Sequence, residues 1–179
     1  MKANTKQRLF EVMERLNPDF QSAKPKFIIP IGISGSGKSR WIKSLEGQGY
    51  VVISPDDIRR ELTGSISDQT RNADVFPLAF KRTIDALNSG KSVIFDATNV
   101  VSYHRKSMLD TLKKRVYVDF DAYAKVFDAD PEISKQRIRN DIKNGVDRSD
   151  VPDFAIDKQH GNFTKDLDKI EADGYKIMI

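Results

Sequence analysis

Apolar and polar positions along the chain alternate between two periods. Phe27-Ile28-Ile29-Pro30-Ile31 is an unbroken apolar run of the kind that fills a strand buried on both faces, and Trp41, Ile42 and Leu45 then recur at helical spacing. Tyr50-Val51-Val52-Ile53 and Ser92-Val93-Ile94-Phe95 read as further strands. Helices are expected after Ser54-Pro55, from about Asp74 to Asn88, over Tyr103 to Lys114, from Asp130-Pro131 to Asn144-Gly145, and from Asp153 to about Ile170. Ser54 is a good N-cap, Pro55 suits the first helical position, and Asp57 stands where it would close a capping box. Arg115 to Phe127 lacks Gly and Pro and partly alternates, which predicts a strand in two pieces with a bend near Asp119-Phe120-Asp121. Tyr175 to Ile179 is expected to close the sheet. Pro30 removes a backbone donor, so its strand must lose a ladder bond there or be bulged.

Strands alternating with helices imply parallel pairing, and the fold class expected is α/β: three layers around a central, mostly parallel sheet, with a helical lid. Such sheets bind ligands at the carboxyl ends of their strands. Upstream, Leu9, Val12, Met13 and Leu16 share one helical face before Asn17-Pro18. Residues 1–22 are therefore expected to form a helix appended to the core, and 23–179 a single domain with its lid around 137–152.

Composition changes this picture little. A chain of 179 residues with 39% hydrophobic content can bury one core. There is no cysteine, so neither disulfides nor thiol chemistry is available, which suits a reducing cytosol. No secretory leader pattern is visible, and no apolar run approaches the ~20 residues that span a bilayer. A cytoplasmic protein without a membrane partner is expected; the sequence does not indicate an oligomeric state. The net charge of +4 is compatible with a polyanionic partner.

Chemistry concentrates in Gly32-Ile33-Ser34-Gly35-Ser36-Gly37-Lys38-Ser39, which fits G-x-x-x-x-G-K-[ST] between a strand and a helix. Glycines let successive N–H groups turn toward phosphate oxygens, the lysine neutralises charge, and the hydroxyl holds Mg²⁺. Gly32, Ser34, Gly35, Ser36, Gly37, Lys38 and Ser39 are thus expected to hold a nucleotide, with Lys38 on the β- and γ-phosphates and Ser39 on the metal.

Phosphoryl transfer further needs a group to accept the nucleophile's proton and cations over the developing charge. Asp56, at the mouth of the second strand, is the candidate base; capping explains Asp57 better than Asp56. Arg59 shares a helical face with Asp56 and could orient that carboxylate or bind an acceptor phosphate. Asp96 ends the third strand, where it could hold Mg²⁺ or anchor another site residue. Lys135, Arg139 and Lys143 form a basic stripe, Arg137 is offset from it, and Arg148 follows in the polar segment. One or more of these cations is expected on ATP.

These residues resemble a family. Gly35-Ser36-Gly37-Lys38-Ser39 followed by Trp41, Asp56-Asp57-Ile58-Arg59, Asp96-Ala97-Thr98-Asn99, Lys125-Val126-Phe127-Asp128, and Arg139-Asn140 ahead of Val151-Pro152 are similar to the phage-type polynucleotide 5′-kinases of the P-loop class, over about Lys26 to His160. The resemblance implies an ATP- and Mg²⁺-dependent transfer to a polynucleotide 5′-OH. Asp56 would be the base, Arg59 a contact to the acceptor phosphate, and Arg139 or a neighbour the lid arginine at the transferring group. By the same resemblance Asp96 would support the site's wall; Arg137 and Arg148, read from the charge pattern, are expected at the nucleotide. Pro55 departs from the family's basic residue beside the aspartate, and the lid is longer. The family's C-terminal phosphatase domain is not expected within these 179 residues.

Other readings remain open: a hydroxymethyl base in modified DNA, a small molecule such as a nucleoside or sugar, or a nucleotide-binding switch without transfer chemistry. Val118 to Tyr123 superficially resembles the nucleophile strand of haloacid-dehalogenase-type phosphatases, but Tyr123 replaces its hydroxyl residue. His104 and His160 lack zinc spacing and read as surface or packing residues, and Trp41 reads as core.

Overall fold

The computed structural model describes residues 24–179, so the expected helix over 1–22 lies outside the described residues. Within them the chain runs β1 (Lys26–Ile31), α1 (Lys38–Ser44), β2 (Val51–Ile53), α2 (Pro55–Thr63), α3 (Asn72–Asn88), β3 (Val93–Phe95), α4 (Ser102–Arg115), β4 (Asp121–Val126), α5 (Pro131–Lys143), α6 (Asp153–Asp166), a 3-10 turn (Leu167–Lys169) and β5 (Lys176–Met178). The five strands pair in the order β2-β3-β1-β4-β5, and every pairing is parallel.

Period-two alternation in β1 divides the core. Phe27, Ile29 and Ile31 join the large cluster with Val75, Ala79, Leu109 and Ile156 from three helices. Ile28 points to the other face and packs with Ile42 of α1 and Ile94 of β3, beneath partly buried Trp41, Leu45 and Tyr123. Burying each of these aliphatic side chains contributes roughly 1.5–3 kcal/mol. Helices therefore cover both sheet faces, as the alternating pattern requires.

Pro30 turns out to need neither a bulge nor the loss of a ladder bond. The β1–β4 register runs one-to-one from Lys26–Asp121 through Pro30–Lys125 to Ile31–Val126. The Ile31 carbonyl faces β4, where it accepts the Phe127 N–H at 2.8 Å, so Pro30 faces β3. On that side pairing has already stopped at Ile28–Ile94, and the Pro30 carbonyl is taken by the Asn99 side-chain amide at 2.8 Å.

Two boundaries and one cap differ from the sequence expectation. Only Asp121–Val126 of the stretch from Arg115 to Phe127 is strand, because Val116 and Val118 are buried as isolated anchors and do not join a ladder. The last helix ends at Asp166, whose carboxylate turns to accept the Ser102 N–H at 3.0 Å. Ser54 caps α2 by accepting the Asp57 N–H at 3.2 Å, but the Asp57 side chain pairs with Arg60 at 3.1 Å.

Candidate nucleotide and acceptor site

β1 delivers the chain to the loop at the carboxyl end of the sheet, and close packing sets what the loop can contain. A Cβ on Gly32 would lie 2.6 Å from the Phe127 carbonyl, and one on Gly35 would lie 2.7 Å from the Ser134 carbonyl. Gly35 and Gly37 also adopt φ of +79° and +102°, which only glycine takes without strain. The Gly32 N–H donates to the Thr98 carbonyl at 3.0 Å, so the β3 exit and the loop entry are stitched together. Asn99, itself at φ +52°, tightens that seam by also donating to the Phe95 and Ala97 carbonyls at 3.2 and 3.0 Å.

Lys38 is buried and donates to the Gly32 and Ile33 carbonyls at 2.9 and 2.8 Å. Burial pushes its ammonium down to about 8, with Asp96 opposing the shift and Arg148 adding to it. Asp96 is pushed up to about 6, first by burial, against the pull of Lys38 and with the repulsion of Asp56 and Asp57. Five charged groups from β3, α1, α2 and the 144–152 segment thus share one electrostatic neighbourhood.

The candidate acceptor side lies on α2. Arg59 is 10% exposed and pairs with Asp56 Oδ1. Its remaining bonds run to the Asn72 side chain at 3.1 Å and the Ile66 carbonyl at 3.3 Å. The other oxygen, Asp56 Oδ2, accepts the Ser149 hydroxyl at 3.2 Å, while Asp147 pairs with Arg60 at 2.8 Å. The polar segment after α5 therefore lies across the start of α2.

The lid cations separate. Arg137 donates to the Gly35 carbonyl at 3.3 Å. Arg148 pairs with Asp141 and has a buried Nε without a partner. Arg139 pairs with Asp153 at the start of α6. Lys135, one of the stripe cations, is buried between Asp157 at 2.7 Å and Glu132 at 2.6 Å, and both pairs raise its pKa. Trp41 packs on Phe127 with ring centroids 5.5 Å apart, in line with a core reading, and His160 stacks on Phe163 as a packing residue. Asp119 and Asp121 stand at the amino end of β4, away from the loop, where Asp121 pairs with Lys176 at 3.1 Å.

One contact had no signal in the sequence. Gln159 of α6 accepts the Ser34 N–H at 2.8 Å from 125 residues away. A lone glutamine on an amphipathic helix carries no motif.

The site fits a nucleotide's phosphates by its own geometry. The Ser36 hydroxyl is buried with no partner, the Lys38 ammonium is held only by carbonyls, and the glycines keep the cradle free of Cβ atoms. Among the described residues no three His, Cys, Asp or Glu side chains gather to hold a metal. The Ser39 hydroxyl and Asp96 remain the protein groups suited to a cation beside phosphate.

A five-stranded parallel sheet with helices on both faces and a glycine-lysine-serine loop at its carboxyl edge defines a P-loop protein of the kinase fold. More narrowly, the family model described as AAA domain matches residues 27–165, and the chain belongs to that family. It is 27% identical over 166 residues to a protein of Acanthamoeba polyphaga mimivirus provisionally named a bifunctional polynucleotide phosphatase/kinase, covering 88% of this chain and 35% of that protein. That name agrees with the resemblance drawn from the motifs. Among solved structures, the Pnkp1/Rnl/Hen1 RNA repair complex superposes with a TM-score of 0.70 at 23% identity, over 83% of this chain and 48% of the matched one. The PezAT chromosomal toxin-antitoxin system of Streptococcus pneumoniae superposes with a TM-score of 0.57 at 22% identity, over 99% and 77%. At these identities the two structures share the fold alone. The chain spans about a third of the curated relative and under half of the matched chain in the repair complex. Among the described residues no helix is long and apolar enough to cross a membrane.

Proposed function

We propose that the chain is an ATP-dependent kinase that transfers the γ-phosphate to a hydroxyl of a nucleic acid, the favoured acceptor being a polynucleotide 5′-OH end. The observation that carries this reading is the position of Asp56. Its carboxylate, fixed by Arg59, shares one electrostatic field with Asp96 and, through it, with Lys38. A binding switch has no need of a fixed, half-exposed carboxylate at that place; a kinase does. The mimivirus relative's name supports the polynucleotide acceptor.

In this reading the loop's N–H groups from Gly35 to Ser39 bind the phosphates, and Lys38 exchanges its two carbonyl partners for phosphate oxygens. Ser39 and Asp96 would hold Mg²⁺, which neutralises phosphate charge during transfer. Asp56 Oδ2 takes the proton of the attacking hydroxyl, while Arg59, its guanidinium spent on Asp56, Asn72 and the Ile66 carbonyl, keeps that oxygen aimed. The 137–152 lid brings Arg137 and Arg148 to the donor side. Arg139 joins them only after leaving Asp153.

The test is incubation with γ-labelled ATP and a panel of 5′-OH oligonucleotides, hydroxymethyl-base oligonucleotides, nucleosides and sugars. Label on the 5′-OH oligonucleotides alone is the expected result. Label on another class would reassign the acceptor, and label on none would overturn the kinase reading.

A further inference from the structure

The acceptor oxygen of Asp56 already holds a hydroxyl. Ser149 Oγ lies 3.2 Å from Asp56 Oδ2, and Oδ1 is engaged by Arg59, so an alcohol activated through Oδ2 competes with Ser149 for that oxygen. Serine presents a primary alcohol on a methylene carbon, the same functional group as a nucleic-acid 5′-OH. The two residues that precede Ser149 tie its segment down. Asp147 pairs with Arg60 of α2 at 2.8 Å, and the charge of Arg148, itself held by Asp141, reaches Lys38 in the loop. The segment therefore carries Ser149 over the junction of the donor and acceptor halves, 93 residues along the chain from Asp56.

We propose that Ser149 is an internal phosphoryl acceptor, so that the protein phosphorylates itself there when no external acceptor displaces the segment. The inference rests on the kinase reading above. Ser149 Oγ forms a bond to the γ-phosphorus of ATP as the bond from that phosphorus to the β,γ-bridging oxygen breaks. The electron pair leaves with ADP, and the Oγ proton passes to Asp56 Oδ2. The products are phosphoserine and ADP. Phosphoserine at this position would meet the carboxylates of Asp56, Asp57 and Asp147 together with the Arg59 and Arg60 guanidiniums they hold, and its phosphate would compete for those arginines.

The experiment is incubation of the full chain with Mg²⁺ and ATP without acceptor, followed by peptide mass spectrometry, with transfer from γ-labelled ATP to a 5′-OH oligonucleotide measured in parallel. One phosphoryl group on Ser149 is expected. Its formation rate per molecule should be independent of protein concentration, and the oligonucleotide should suppress it. Ser149→Ala should abolish the label and Ser149→Thr, which keeps a hydroxyl, should restore part of it. A protein that phosphorylates the oligonucleotide yet leaves Ser149 unmodified would overturn the internal acceptor and leave the kinase reading intact. Label on another residue, or a rate rising with protein concentration, would overturn it equally. Absence of both transfers would remove the two readings together.

Discussion

Arg59 holds Asp56 by a single carboxylate oxygen. The two lie one helical turn apart on α2, with the guanidinium 10% and the carboxylate 55% exposed. A buried cation anchoring a half-exposed carboxylate fixes its orientation and leaves one oxygen for a proton. Asp56→Asn should therefore lower turnover by roughly 10²–10⁴-fold, the usual contribution of a general base, while ATP affinity stays within about three-fold. Steady-state transfer assays beside nucleotide titration separate the two effects, and retained turnover would remove Asp56 from its role.

Lys38→Ala should damage nucleotide affinity and turnover together, because its ammonium is the buried positive charge of the loop. Titration with a fluorescent ATP analogue checks this. Unchanged affinity would count against the loop as the phosphate site.

Asp96 gives a pH signature in the nucleotide-free protein. Its folded pKa of about 6 lies above the usual 3.8, so the folded state holds the proton more tightly than the unfolded one. Stability from this group is fully present below about pH 3.8 and is lost as pH rises through 6. The two-unit shift corresponds to about 3 kcal/mol. Asp96→Asn, a neutral mimic of the protonated form, should then be more stable than wild type at pH 7.5 in chelator, by up to that amount. The gain should vanish near pH 4. Urea unfolding at both values measures it.

Gly35→Ala should strain the loop, since the added Cβ meets the Ser134 carbonyl at 2.7 Å on a backbone at φ +79°. A cost of about 1–3 kcal/mol is expected from strain at such a position, together with a loss of ATP affinity. Denaturant midpoints and nucleotide titration read the two effects.

Away from the site, Arg105 and Asp173 form a buried pair at 2.8 Å, with side chains 1% and 4% exposed. Arg105 also donates to the Asn99 carbonyl at 3.0 Å and the Asp166 carbonyl at 2.7 Å, tying the C-terminal segment to the loop's floor. Asp173→Ala leaves that guanidinium buried and uncompensated, and should destabilise the protein by about 3–5 kcal/mol. An equilibrium urea transition within ~1 kcal/mol of wild type would refute this.

The phosphate loop, the α2 cap and four of the five strands were legible in the sequence because each is a local device. Glycine conformations, N-capping and side-chain alternation act over a few neighbouring residues. Asp56 and Arg59 were legible as a pair for the same reason, one helical turn separating them. The lid cations were only half legible. Helical spacing put Lys135 and Arg139 on one stripe, but Glu132, Asp157 and Asp153 claim them, and two of those carboxylates come from another helix.

The sequence by itself determined a nucleotide loop between a buried strand and a helix, with a carboxylate at the next strand's exit. Tertiary structure alone decided what closes on them. The bonds of Gln159 to Ser34, of Ser149 to Asp56 and of Arg105 to Asp173 join residues 125, 93 and 68 positions apart. Parallel strands must be joined by long crossovers, so the groups that meet at the sheet's carboxyl edge arrive from separate connections. No local pattern encodes which of them will touch.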